Sequence, residues 1–159
     1  MSVSESGFRH DLERNTYVSL FRKKRWAFYF LRKGQAAKSG LLRKACAFGK
    51  KIALAGTGCE LPFEAIGGGL RIPHLNGIII SPVAKVGEDC VIFHQVTLGV
   101  NGRKSLDQGP ILGDRVSVGA GAKIIGPVTV GDDVTIGANA VVTKDVPSGM
   151  TVVGYNRLL

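Results

Sequence analysis

Three histidines are the side chains of this chain best suited to exchange a proton near neutral pH: His10, His74 and His94. His74 and His94 are twenty residues apart, and each follows an isoleucine, Ile72 or Ile92, by two positions. An imidazole held beside a hydroxyl group can take its proton as a general base. The shared spacing indicates that one repeated element positions both side chains.

That element is a six-residue repeat. From Leu112 onwards an aliphatic residue recurs every six positions, and a small or branched residue follows each of them four places later. The twelve residues that obey this rule are Leu112, Val116, Val118, Ala122, Ile124, Val128, Val130, Val134, Ile136, Ala140, Val142 and Val146. Hexapeptide repetition is typical of a parallel β-helix, in which three hexads make one triangular coil. The fold class predicted is therefore mainly β.

The same repeat continues upstream with two interruptions. Ile66, Ile72 and Ile78 keep one phase, and the aliphatic positions from Ile80 to Leu98 keep another that is shifted by two residues. We expect the two extra residues on the face from Ile78 to Val86. The interval from Leu98 to Leu112 is eight residues too long for one hexad, so residues 100–110 are predicted to leave the coil as an external loop. This count gives about four coils, with apolar sides that favour association with other copies.

The first third of the chain differs in composition. Residues 1–56 contain 13 Lys or Arg and 3 Asp or Glu, whereas residues 57–159 contain 8 and 9. We therefore divide the chain into a basic α-helical segment, 1–56, and a β-helix domain, 57–159, and we expect helix breaks at Gly34 and Gly40.

Within the basic segment, the cations of residues 22–25 directly precede the aromatic-rich residues 26–31. This pattern suits a membrane surface or an acidic polymer. The alternative is a helical cap that packs its aromatic residues and leaves its lysines in water. No nucleic acid is expected, because no recognised binding motif accompanies the charge.

Composition excludes several classes of protein. The chain has no apolar run of eighteen residues and no signal-peptide pattern, so we expect a cytoplasmic protein, with a peripheral place at the inner membrane face left open. The three cysteines, Cys46, Cys59 and Cys90, have neither zinc-site nor disulfide spacing. We therefore expect no metal site. Cys90 falls on an inward position of the repeat and is expected in the core, Cys46 has no visible base nearby, and the role of Cys59 is left open.

Residues 58–154 contain the motifs PHLNGIIIS, VTLG, VGAGAKIIG and IGANAVVTKDVP. This stretch resembles the serine acetyltransferase-type hexapeptide-repeat acyltransferases, and especially their exopolysaccharide and capsule branch. The resemblance implies a left-handed β-helix, a homotrimer with active sites between subunits, and acetyl-CoA as acetyl donor. It also matches His74 to the catalytic histidine of the family.

The resemblance assigns further roles one position at a time. Ala120 and Ala138 match positions whose backbone contacts coenzyme A, and Thr143 and Lys144 match positions that hold its nucleotide end. A lysine there can pair with phosphate. Arg157 is expected to act in the same way.

Two further residues are candidates for the catalytic step. If His94 stacks beside His74 on the next coil, the two side chains lie within about 10 Å of each other, two strand spacings. His94 would then orient the base or bind the acceptor; the alternative is a stacked surface histidine. Glu60 is a candidate carboxylate partner for His74, or else a solvated turn residue.

The acceptor site departs from the family pattern. Pro73 replaces an aspartate, and Gln108 and Gly109 replace an arginine and a histidine, whereas Asp107 is retained. Asp107 and Gln108 are the candidate acceptor residues. Without the arginine that would hold a serine carboxylate, we expect O-acetylation of a sugar or polysaccharide precursor. The alternatives are O-acetylation of L-serine in cysteine biosynthesis and a non-catalytic scaffold at a membrane surface.

Overall fold

Three helices precede the β-structure. The computed structural model describes residues 3–15, 21–102, 107–155 and 157–158, with side chains for 7–15, 24–102 and 107–155. Helix α1 spans Val3–Arg14, α2 spans Phe21–Gln35 and α3 spans Gly40–Leu54, where the Ser39 hydroxyl caps the first turn by accepting from the Leu42 amide. Gly40 begins α3, as expected for a break, whereas Gly34 lies inside the last turn of α2.

Eleven short parallel strands then wind into a prism with three faces, and a twelfth strand turns back against the last of them. The first face contains β1 (Ile79–Ile80), β4 (Thr97–Gly99), β7 (Lys123–Ile125) and β10 (Val141–Val142). The second face contains β2 (Lys85–Val86), β5 (Ile111–Leu112) and β8 (Thr129–Val130). The third contains β3 (Val91–Ile92), β6 (Ser117–Val118), β9 (Thr135–Ile136), β11 (Thr151–Val153) and the antiparallel β12 (Arg157–Leu158).

The strands form four coils, whereas the predicted count of about four begins at Ile66, before the first strand. A further rung precedes them, in which single residues, Glu60, Ile66 and Arg71, bridge to the three faces in turn. The predicted external loop leaves between β4 and β5; its residues 103–106 lie outside the described part of the chain.

The inward positions form the core. All twelve repeat positions from Leu112 to Val146 are buried, none of them more than 4% exposed. The period-six rule therefore identifies the core correctly. Burying one such side chain contributes about 1.5–3 kcal/mol, so the stacked aliphatic columns are the main source of stability for the prism.

The two extra residues lie elsewhere than the sequence predicts. Ile78 and Ile80 are both buried, at 0% and 1% exposed, so the face from Ile78 to Val86 has regular spacing. The insertion lies instead in the turn from Pro73 to Gly77, which has five residues where the next coil has only Phe93 to Gln95. Extra residues in a turn leave every inward side chain in its column. Extra residues within a strand would shift the side chains that follow out of their columns.

The helices cover the open edge of the first rung. Asp11 and Arg32 form a buried ion pair, with 2.7 Å between Arg32 Nε and Asp11 Oδ2, and Arg32 also donates to the Ile66 and Gly67 carbonyls. Helix α2 buries Ala27, Phe28 and Leu31 in the same core. Backbone amide and carbonyl groups at an unpaired strand edge destabilise the fold when they are buried without hydrogen-bond partners. Here side chains of the helices supply those partners.

The basic cluster of α2 is therefore split between two environments. Arg25 and Trp26 are exposed, whereas Lys24 is 2% exposed. The side chains of Arg22 and Lys23 lie outside the described residues. The expectation of a helical cap with solvated lysines is wrong for Lys24, because its ammonium group bonds to the first rung instead of to water.

Candidate active site

Both repeat histidines lie on one edge of the prism, where the third face turns into the first. We call this edge the histidine corner. It consists of four stacked turns: 73–77, 93–95, 119–121 and 137–139. Each turn has one residue in the left-handed region, with φ between 55° and 74°: Gly77, Gln95, Gly121 and Asn139.

Backbone hydrogen bonds set the register of this corner. The Gln95 amide donates to the Asn76 carbonyl at 2.9 Å, the Gly121 amide donates to His94 at 2.9 Å, and the Asn139 amide donates to Ala120 at 2.8 Å. His94 is therefore in register with Asn76 and not with His74, because the longer turn shifts His74 two residues away. Ala120 and Ala138 continue the same column, one rung apart.

The two imidazoles are nevertheless in contact. Their ring centroids lie 5.5 Å apart with an angle of 81° between the planes. The expected proximity is confirmed, while the roles of the two rings stay predictions. His74 is exposed, whereas His94 is half-buried and its Nδ1 atom has no hydrogen-bond partner among the described residues. A buried polar atom without a partner is uncommon in folded proteins and marks a site that a ligand can complete.

Glu60 does not meet His74. Its carboxylate makes no hydrogen bond or ion pair with the imidazole within the described residues, and it faces a cavity of about 580 Å³ between α3 and the first rung. Lys50, Lys51 and Leu54 line the same cavity. Of the two roles that the sequence offers for Glu60, the described residues do not show the pairing with His74, and Glu60 is exposed.

The candidate donor residues lie on two edges of the first face. Ala138 is exposed and Ala120 is partly exposed at the histidine corner, so their backbone is open to a ligand. Thr143 and Lys144 directly follow β10 at the opposite edge of the first face, and Lys144 is exposed. The side chain of Arg157 lies outside the described residues.

The candidate acceptor residues lie on the external loop. Asp107 and Gln108 are exposed where the loop rejoins the second face. Gly109 is packed so closely that an added Cβ would be 2.9 Å from the Ala84 backbone nitrogen. The histidine that the family pattern places at position 109 does not fit without movement of Val83 or Ala84.

All three cysteines lie in the hydrophobic core. Cys90 is fully buried, and burial raises the pKa of its thiol to about 11, so it is protonated at neutral pH. Cys46 and Cys59 are buried as well. Across the ranges that the structure describes, no three His, Cys, Asp or Glu side chains are grouped closely enough to hold a metal ion, and no helix is long and apolar enough to cross a membrane.

Comparison with known proteins agrees with this geometry. Residues 109–144 match the bacterial transferase hexapeptide model, which describes six repeats. A soybean serine acetyltransferase structure, complexed with serine, is 30% identical, with a TM-score of 0.73 over 98% of this chain and 68% of that chain. This chain belongs to the hexapeptide-repeat transferase family. The predicted left-handed β-helix is thereby confirmed as the architecture of the hexapeptide-repeat chain.

Two further relatives of this hexapeptide-repeat chain are serine acetyltransferases. The Helicobacter pylori enzyme is 52% identical over 99 residues, which are 62% of this chain and 58% of that protein. The Neisseria gonorrhoeae structure is 28% identical, with a TM-score of 0.79 over 98% of this chain and 64% of that one. The chain thus spans a little over half the length of the curated relative.

Sequence reasoning missed two lysines of this hexapeptide-repeat chain. Lys24 Nζ donates to the carbonyls of Ile72 and Pro73, directly before His74. Lys123 points outward from the first face, and its Nζ donates to the Gln95 carbonyl at 2.5 Å. No pattern in the sequence identifies either contact, because each joins segments far apart in the chain.

Proposed function

We propose that this chain is an acetyl-CoA-dependent O-acetyltransferase with L-serine as its acceptor. The observation that carries the proposal is the histidine corner, where the His74 and His94 rings are 5.5 Å apart and His94 stands on the column that continues into Ala120 and Ala138. One edge of the prism thus provides a base for a hydroxyl group and open backbone for a thioester arm. The similarity to serine acetyltransferases supports L-serine.

In this mechanism, His74 acts as the general base. Its imidazole takes the proton from the acceptor hydroxyl while the oxygen attacks the thioester carbonyl. The new C–O bond forms, the C–S bond breaks, and the imidazolium returns the proton to the departing sulfur. His94 contacts the His74 ring and fixes its orientation. Because Cys90 is a buried, protonated thiol, direct transfer fits these residues better than an acyl-cysteine step.

The residues present fit an acetyl-CoA molecule, which supplies the acetyl group. Ala120 and Ala138 have side chains small enough for a pantetheine arm to approach the backbone, and Lys144 offers an exposed cation for phosphate at the other edge of the first face. Thr143 adjoins it. The role of each of these residues, and that of Arg157, is a proposal by similarity.

Thiol release from acetyl-CoA tests this function. We expect the wild-type protein to release coenzyme A when L-serine is added, and His74→Ala to lower kcat by about 10² to 10⁴, the usual contribution of a general base. Circular dichroism of the variant controls for folding, because His74 is exposed. Equal turnover of wild type and variant would exclude His74 as the base.

A sugar hydroxyl is the second candidate acceptor, on one specific observation. Position 109 is a glycine pressed against Ala84, and Gln108 stands beside it, so the arginine and histidine of the family pattern are absent. A neutral acceptor has no carboxylate that such an arginine would need to hold. An acceptor screen of L-serine against cell-surface sugars and oligosaccharides separates the two: turnover with sugars alone would replace the serine assignment.

Assembly into trimers is part of the proposal. Ile79 on β1, Val83 in the turn between the first and second faces, and Ile111 on β5 are apolar but are 42%, 38% and 44% exposed. Exposed apolar side chains on the sides of the prism favour a protein contact. Light scattering coupled to size exclusion tests for three copies, and a monomer at assay concentration would argue against active sites between subunits.

A membrane-surface role is a separate proposal. Trp26, Phe48 and Ile52 are 54%, 67% and 60% exposed on helices that have no acidic residue beyond α1. Co-sedimentation with anionic vesicles at low salt tests it, and no binding there would leave the helices as a cap only.

A further inference from the structure

The first rung of the prism has backbone groups that no strand can pair. In each parallel pair, alternate residues direct their amide and carbonyl groups towards the next coil or the preceding one. Arg71 pairs with the following coil, since its amide donates to the Cys90 carbonyl and its carbonyl accepts from the Ile92 amide, 2.9 Å each. Leu70 and Ile72 therefore direct theirs to the side where no coil precedes.

Side chains of α1 and α2 occupy that side. Asn15 donates to the Leu70 carbonyl and accepts from the Ile72 amide, both at 2.9 Å. Lys24 Nζ donates to the Ile72 carbonyl at 2.5 Å and to the Pro73 carbonyl at 2.6 Å. The chain thus replaces a missing strand with an amide and an ammonium group.

The position of Lys24 is unusual for a lysine. It is 2% exposed, and its hydrogen-bond acceptors are two uncharged carbonyls. Burial, with a smaller contribution from the Arg71 charge, lowers the pKa of Lys24 to about 8, so its ammonium form still predominates at neutral pH. Hydrogen bonds from a charged donor are about twice as strong as neutral ones. The desolvation cost is offset only if these two bonds are kept.

The second of these bonds acts on His74 directly. The Pro73 carbonyl belongs to the peptide that links Pro73 to His74, so holding its oxygen fixes the plane from which the imidazole projects. The turn that follows has two residues more than the equivalent turn of the next coil, and its first half has no strand partner. The Asn76 amide donates to the His74 carbonyl, which restrains only the second half.

We propose that Lys24 is a positioning residue for His74: its ammonium group pins the Ile72 and Pro73 carbonyls and so holds the imidazole against His94. This inference rests on the proposed transferase function for its kinetic consequence. It assigns to the basic cluster of α2 a role in orienting the base, in addition to covering the open edge of the prism.

Lys50 supplies a matched control. It too is a lysine from the helical cap that donates to a first-rung carbonyl, that of Leu61, and burial lowers its pKa to about 8 as well. Its acceptor follows Glu60 on the first face, whereas the Lys24 acceptors, Ile72 and Pro73, directly precede His74. A purely structural role therefore predicts equal effects of Lys24→Met and Lys50→Met, whereas a positioning role separates them.

The experiment compares steady-state kinetics of the full chain in its assembled form. We expect Lys24→Met to lower kcat by about tenfold or more, because small displacements of a catalytic group are costly, while KM for acetyl-CoA changes less than about twofold. Lys24→Arg, which keeps a charged donor, should recover most of kcat. Lys50→Met should lower the melting temperature to a similar extent and leave kcat within about twofold. Equal kcat losses in the two methionine variants, or none in Lys24→Met, would overturn the proposal.

Hydrogen exchange provides a readout that does not depend on activity. Lys24→Met should speed exchange of the Asn76 and Gly77 amides by about tenfold relative to Gly121, two rungs on, and Lys50→Met should not. If wild type transfers no acetyl group to any acceptor, the proposed function fails, and exchange still decides whether Lys24 holds the turn. If Lys24→Met does not fold, Lys24→Gln, a neutral donor, takes its place in both measurements. Unchanged exchange would refute the positioning role.

Discussion

Removing Asp11 tests whether the helical cap depends on its buried ion pair. Asp11 is fully buried, and its carboxylate accepts from Arg32 Nε at 2.7 Å, from Arg32 Nη2 at 3.0 Å and from the Leu70 amide at 3.0 Å. Burial raises the pKa of Asp11, and the Arg32 guanidinium opposes that rise. Asp11→Ala leaves Arg32, itself 5% exposed, without a counter-charge.

The expected loss of stability depends on which hydrogen bonds Arg32 keeps after Asp11 is removed. Breaking a buried ion pair by removing one partner costs about 3–5 kcal/mol, because the other charge stays desolvated. Arg32 keeps its bonds to the Ile66 and Gly67 carbonyls, so the lower end of that range applies. We therefore expect Asp11→Ala to lower the free energy of unfolding by about 3 kcal/mol.

Urea unfolding at one fixed protomer concentration measures this loss. Arg32→Met and the Asp11→Ala, Arg32→Met double variant complete a double-mutant cycle. We expect the double variant to lose about 1.5–3 kcal/mol less unfolding free energy than the sum of the two single variants. The exposed Arg115–Asp133 pair is the matched control, because it has the same two-bond geometry at the surface. Arg115→Met should not change the urea midpoint measurably.

Two results would refute this reasoning. A loss below about 1 kcal/mol for Asp11→Ala would mean that water reaches Arg32 and that the helices are not sealed onto the first rung. Strict additivity in the cycle would mean that the two side chains act independently.

Two more predictions concern His94 and the buried lysines. His94→Phe keeps the ring volume and removes the unpaired buried Nδ1, so we expect kcat to fall about tenfold while the melting temperature holds or rises; an unchanged kcat would make His94 a stacked surface residue. Burial lowers the pKa of Lys24 and Lys50 from 10.5 to about 8. At a pH between these two values, the unfolded chain therefore binds more protons than the native chain. The free energy of unfolding of the wild type should therefore rise as pH increases from about 8 towards 10, relative to that of a Lys24→Met, Lys50→Met double variant. Urea unfolding at each pH measures this difference. The same dependence on pH in both proteins would contradict the prediction.

The candidate site was only partly predictable from the sequence. His74 and His94 were correctly expected to be neighbours, because their separation equals one coil plus the two-residue insertion. The place of that insertion was wrong, since a shift of phase shows that residues are added and not whether a face or a turn receives them. Glu60 illustrates a second limit: the sequence does not show which groups surround its side chain, and in the structure it lines the cavity between α3 and the first rung.

The sequence by itself determined the inward columns, the external loop and the order of helices before coils. These features follow from periodicity, and a period-six pattern of aliphatic residues allows only one set of side chains to face the axis of the prism. The tertiary structure alone decided which cations of the basic segment, Lys24 and Arg32, are buried and which groups they bind. Lys24 and the Pro73 carbonyl are 49 residues apart, and only the docking of α2 on an open rung brings them together. No local sequence pattern predicts this contact. The Ile72 and Pro73 carbonyls need a donor only because the first rung of the folded prism has no coil before it.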